Sequence, residues 1–197
     1  MNKLIIFIIL IASLSSKATY LMIPMDDVQK NHLKSYGIAF YTLEKELEVD
    51  WLLNYRGGSF ALQLNQDVLK ECKVRGVTYE IVADVQYNKI VSDISKPEVN
   101  QDVIKLEKAP KMAVYSPKNK QPWDDAVTLV MTYAEIPYEI VYDEEIINGD
   151  LSKYDWLHLH HEDFTGQYGK FWSSYKNTPW FKEYVRFNET LAGKLGF

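Results

Sequence analysis

Short apolar runs of strand length alternate along this chain with segments of helical period, and that alternation constrains the fold more than any other feature. The strand candidates are LMIPM (21–25), EVDWLLNY (48–55), TYEIVA (78–83), KMAVY (111–115), YEIVY (138–142) and YDWLHL (154–159). Between them one helix is marked by Leu33, Tyr36, Gly37, Phe40, Leu43 and Leu47, and a second covers 66–74. A third carries Ala126, Val127, Val130, Met131 and Ala134 on one face. Strands separated by helices of this length predict an α/β fold with parallel sheets and crossover connections. Asp27 is expected to cap the first helix, Gly76 to end the second and Pro137 the third. Thr178 and Pro179 have the order that opens a last helix.

The stretch 85–108 is polar and interrupted by Pro97, and reads as a connector between a unit at 19–108 and another at 109–197. The two units look alike. Each runs strand, Asp-Asp loop, helix, strand, and the tetrapeptide YEIV recurs at 79–82 and 138–141.

Residues 1–18 have the pattern of a signal peptide: Lys3, an apolar run at 4–14 broken only by Ser13, then Ser16 and Ala18 before a cut at Thr19. The run is shorter than the ~18 residues of a spanning helix. The expectation is therefore export to the periplasm or the exterior, with no stable membrane insertion after cleavage. Cleavage removes Lys3 and Lys17 and no acid, taking the net charge from −5 to −7. That charge, without a basic stripe, argues against nucleic acid as a partner. Cys72 is the only cysteine, so no internal disulfide forms, and its apolar neighbours predict a buried, inert thiol.

In a parallel sheet, ligands bind at the loops that leave the carboxyl ends of strands. Collected on that edge, the loops offer Asp26, Asp27, Arg56, Asp84, the segment 116–123 ending in Trp123, the acids Asp143 to Glu145, and the cluster HLHHED at 158–163. Three of the four histidines lie in that cluster. His160, His161, Glu162 and Asp163 are the expected ligand-binding residues, with Arg56 and Trp123 beside them. His158, inside the strand, is expected to be structural. Arg56 before Gly57-Gly58 offers a fork for a carboxylate or phosphate; an ordinary tight turn is the competing reading. His158 and His160 share a strand face, and with His161 they form a candidate divalent-metal set; a strand histidine with a loop partner is the alternative. No other cofactor is expected. No G-x-S-x-G elbow, phosphate loop or G-x-G-x-x-G occurs. The rings of FWSSY (171–175) and TPWF (178–181) are expected to pack in a core, with sugar stacking as the alternative. Asn188-Glu189-Thr190 is a glycosylation sequon by pattern.

These residues also carry a resemblance. KMAVYSP, WDDAVTLVMTYAEIPYEIVYDEE and GDLSKYDWLHLHHED, between Lys111 and Gly169, resemble the opening of a class I glutamine amidotransferase-like domain. IPMDD, KNHLKSYGIAF, VDWLLNYRGGSF and LHLHHEDFTGQYG, spread over 21–197, are similar to exported bacterial proteins commonly labelled asparagine synthetase B. The resemblance implies two flavodoxin-like units, the second an incomplete amidotransferase-like domain. It also implies a nucleophilic cysteine on a strand-to-helix elbow after Phe197, a position that Cys72 does not match. The expected function is an exported amidotransferase-like protein acting on or binding a small amide or polar ligand. The alternatives are a non-catalytic periplasmic or surface ligand-binding module, and a metal-dependent hydrolase using His160 and His161.

Overall fold

Asn54, Arg56, Gly57 and Gly58 all have positive φ, at 58°, 47°, 82° and 94°, in the computed structural model, which describes residues 19–116, 126–159 and 168–197. They reverse the chain between β2 (Val49–Leu53) and β3 (Ser59–Gln63). A connection this short admits only an antiparallel partner, because a parallel one needs a crossover of roughly a dozen residues. A Cβ on Gly57 would lie 2.3 Å from the Met25 carbonyl oxygen, so the turn accepts only glycine there.

The chain divides into two compact units, Met1–Lys108 and Ala109–Phe197. The described part of the first runs β1 (Thr19–Ile23), α1 (His32–Glu44), β2, β3, α2 (Gln66–Arg75), β4 (Glu80–Ala83), α3 (Asp84–Ile94) and β5 (Asp102–Leu106). Its sheet has the order β4-β1-β3-β2-β5 and every pair is antiparallel. This corrects the expected parallel, flavodoxin-like sheet for residues 19–108. The reason is topological. β1-α1-β2 and β3-α2-β4 are each strand–helix–strand crossovers, but each leaves a gap one strand wide. β3 fills the gap between β1 and β2, and β1 fills the gap between β3 and β4. The result is the interlocked βαββαβ arrangement called ferredoxin-like, extended by α3 and β5.

Alternation along the strands sorts the core onto two faces. Met22, Leu52, Ala61 and Val82 point to one face and pack with Tyr87 and Ile94 of α3. On the other, Phe60 meets Tyr36 of α1 edge-on at 5.5 Å. The aromatic ring of Tyr41 on α1 lies 5.5 Å under the guanidinium of Arg75 on α2. Large apolar side chains such as Leu21, Ile23, Leu52 and Val68 are fully buried, each contributing about 1.5–3 kcal/mol relative to exposure.

The second unit contains β6 (Met112–Tyr115), α4 (Ala126–Ala134), β7 (Glu139–Val141), α5 (Asp143–Ile147), a 3-10 turn (Asp150–Lys153), β8 (Trp156–Leu159), α6 (Tyr168–Tyr175) and α7 (Pro179–Leu195). Its three strands are parallel in the order β7-β6-β8, with Tyr115 opposite both Val141 and Leu159. Here the parallel expectation holds, because α4 separates β6 from β7 and allows a crossover. Ala113, Val114, Val141, Ala134 and Phe181 form its buried interior. Among the described residues no helix is long and apolar enough to cross a membrane.

Candidate functional site

The order β7-β6-β8 places the first strand of the second unit in the middle. The chain moves to one side of β6 to make β7, then returns to its other side to make β8. A crevice at such a reversal, outside the carboxyl ends of the strands, is where open parallel sheets take ligands. In this unit the reversal falls between β6 and β8, where Tyr115 and Leu159 face each other in register.

The β6–β7 side of that edge is already filled. The Tyr115 ring stacks on Tyr142 at 5.2 Å, and its hydroxyl donates to Asp143 Oδ1 at 2.6 Å. Tyr142 Oη donates to Asn188 Oδ1 on α7 at 2.9 Å. Burial, with neighbouring hydroxyl and carboxylate groups, holds the Tyr142 phenol well above its ordinary range. The Tyr142 backbone N–H donates to Glu145 Oε2 at 3.0 Å, closing the first turn of α5. Asp143 and Glu145 are thereby committed to local partners. Asn188 lies within α7 with its side-chain oxygen accepting from Tyr142. The sequence reading missed Tyr142 and Asn188 as partners, since they are 46 residues apart.

On the β8 side the described residues reach only to the strand ends. Ser116 is buried at the end of β6, and its N–H donates to the Val141 carbonyl at 3.0 Å. His158 sits mid-strand opposite Val114, half-buried, with its ring 6.1 Å from Trp156. Leu159 is the last described residue before His160. His160, His161, Glu162, Asp163 and Trp123 all lie outside the described residues. Among the described residues no group of three His, Cys, Asp or Glu is arranged to hold a metal ion; the proposed set of His158, His160 and His161 is only partly among them.

Arg56 belongs to the first unit and is already bound. Its Nε donates to Asp26 Oδ2 at 2.6 Å, while Nη1 donates to both Glu80 oxygens at 2.9 Å. Hydrogen bonding to Arg56 holds the Asp26 carboxyl below the usual carboxylate value, and Asp26 in turn raises the guanidinium. One guanidinium between two carboxylates leaves no excess positive charge for an anionic ligand. The cluster clamps the β2–β3 turn to β1, together with the Met25 N–H bond to the Arg56 carbonyl at 3.1 Å. Asp84 starts α3 just beyond Ala83, which pairs with Thr19 at the other end of β1, so it does not share an edge with Asp26. Cys72 is fully buried, and desolvation pushes its thiol up to about 12.

Two further polar groups were not legible in the sequence. Gln29 is buried and saturated: its amide donates to the Pro24 and Thr78 carbonyls at 2.8 and 3.1 Å, and its oxygen accepts from Thr78 N–H at 2.9 Å. Tyr87 stacks on Tyr20 at 3.7 Å and donates its hydroxyl to Asp50 beneath α3. No protein-family model, curated protein or solved structure matches this chain.

Proposed function

We propose that the second unit binds a small polar, amide-containing ligand at the carboxyl edge beside β6 and β8, as an amidotransferase-like domain of an exported protein. The observation that carries this reading is the reversal of strand order at β6. It brings the carboxyl ends of β6 and β8 side by side, with Tyr115 opposite Leu159, and the segments that hold Trp123 and His160, His161, Glu162 and Asp163 follow those strands in the sequence. The β6–β7 side is filled by Tyr115, Tyr142 and Asn188, which supports the choice of the other side. A 2-1-3 order is also how a flavodoxin-like sheet begins, which is the fold the resemblance implies for residues 109–197.

Within these residues the role is binding. A thiol fully buried in α2 and held at about 12 is not a nucleophile at neutral pH, so Cys72 does not serve amide cleavage. Export is part of the proposal, and rests on the signal-peptide pattern of residues 1–18.

The test is calorimetric titration of the full chain with L-glutamine and L-asparagine, alone and with EDTA. Binding should survive EDTA and weaken at least tenfold in the His160→Ala, His161→Ala double variant. Unchanged affinity in that variant moves the site elsewhere, and loss with EDTA favours the metal-dependent alternative.

A further inference from the structure

We propose that a cleft between α6 and α7 binds a small organic anion with an aromatic body, independently of the carboxyl-edge site. The cleft has a volume of about 290 Å³ and is lined by Trp172, Lys176, Phe181, Lys182, Val185 and Arg186. That volume is near the lower end of small-molecule pockets, which start at about 300 Å³, and suits one ring with its acid group.

The sequence reading expected the tail's rings to pack in a core, and for Phe181 that is so: it is 1% exposed. It touches Phe171 at 5.9 Å and Trp172 at 5.2 Å, the latter edge-to-face at 80°. Trp172 differs. Phe181 holds its indole in place, yet the residue remains 42% exposed. A fixed, exposed indole beside Val185 is a stacking surface whose orientation is set before any ligand arrives.

The charge around that surface has one sign. Every charged residue lining the cleft is a cation, in a chain whose net charge is −5. Residues 168–197 carry Lys170, Lys176, Lys182, Arg186 and Lys194 against only Glu183 and Glu189, and neither acid lines the cleft. Among the described residues, no carboxylate pairs with Lys176, Lys182 or Arg186.

The helix itself adds to this field. α7 runs for 17 residues from Pro179 and has no acid in its first turn. The positive end of its dipole therefore lies near Lys182, an arrangement that repels a cation and attracts an anion. A solvated charge at the end of α6 would account for Lys176 alone. It does not account for Lys182 near the N-terminal end of α7 or for Arg186 at its middle. Asn188, which is bonded to Tyr142, shares the i, i+4, i+7 face of α7 with Phe181 and Val185, while Lys182 and Arg186 lie to the exposed side of that face.

We take a small molecule rather than an anionic lipid surface as the occupant, because the cleft offers one fixed indole beside three cations in a volume that suits a single ring. In this site the acid group sits between Lys182 and Arg186, and the ring lies on Trp172 and Val185.

The experiment is an NMR titration of the full ¹⁵N-labelled chain with phenyl phosphate, following the Trp172 indole N–H. Benzyl alcohol, inorganic phosphate and phosphatidylglycerol vesicles serve as comparison probes. Phenyl phosphate should shift the Trp172 signal saturably, with affinity falling as salt rises, and should bind at least tenfold more tightly than inorganic phosphate or benzyl alcohol. Lys182→Gln with Arg186→Gln, both on the exposed flank, should weaken it at least tenfold with an unchanged spectrum elsewhere, and Trp172→Ala should do the same. Equal binding of inorganic phosphate, no effect of the double variant, or binding to vesicles without binding of phenyl phosphate would each overturn the proposal. Retained glutamine binding in the double variant separates this site from the carboxyl-edge one.

Discussion

At the scale of single residues, polar groups chose long-range partners over the local roles their positions suggested. Asp27 stands where a helix cap is expected, yet α1 begins later and Asn31 caps it, accepting from Lys34 N–H at 3.1 Å. Asp26 is held by Arg56, which is 30 residues away. Because Arg56 lowers the Asp26 pKa in the folded state, the pair stabilises the fold above the ordinary carboxylate value of 3.8. That contribution is lost as pH falls past this value and through the lower folded one. Asp26→Asn should therefore destabilise the protein at neutral pH and flatten the acid limb of a stability–pH curve; parallel curves for both proteins would refute this. Gln29 makes the larger demand, since its side chain satisfies both backbone groups of Thr78. Gln29→Ala leaves those partly buried groups without their partner and should cost roughly 1–2 kcal/mol, read as a lower urea midpoint at unchanged m-value.

At the scale of elements, helix ends followed local chemistry closely. Gly76 ends α2 with φ at 70° and its N–H on the last turn, and Pro179 opens α7 after Thr178. Such signals are legible because a cap's partners lie within a few residues of it. Strands were harder. SFALQ at 59–63 lacks polar alternation, because β3 is central and buried on both faces, so period-two patterning does not mark it as a strand. DVIKL at 102–106 was hidden for the opposite reason: β5 is an edge strand, largely exposed, in a polar stretch. The turn that makes β3 possible can be tested directly. Gly57→Ala combines a φ of 82° with a Cβ placed 2.3 Å from a backbone oxygen. It should destabilise the first unit by about 2–4 kcal/mol, measured by urea unfolding followed at Trp51, whose indole N–H donates to the Gly58 carbonyl at 3.1 Å.

At the scale of the whole molecule, two sheets of different kinds occupy one chain, and their order of protection should follow their topology. Within the first unit, β1, β2 and β3 have hydrogen-bonded neighbours on both sides, while β4 and β5 have one. Amide exchange should be slowest in β1, β2 and β3 and fastest in β5; equal rates across the sheet would contradict the strand order. The sequence by itself determined that the chain is α/β, that α2 stops at Gly76, that α7 opens at Thr178 and Pro179, and that Cys72 is buried. Each of these follows from periodicity or from contacts within a turn or two. It also determined the parallel pairing around β6, because a helix lies between the strands that pair. Only the tertiary structure decided that the first sheet is antiparallel, that Arg56 is bound by Asp26 and Glu80, and that Tyr142 meets Asn188. Those outcomes depend on which distant strand fills a gap and which buried polar group must find a partner. Periodicity carries no record of either, since it reports which face of an element is buried and not what buries it.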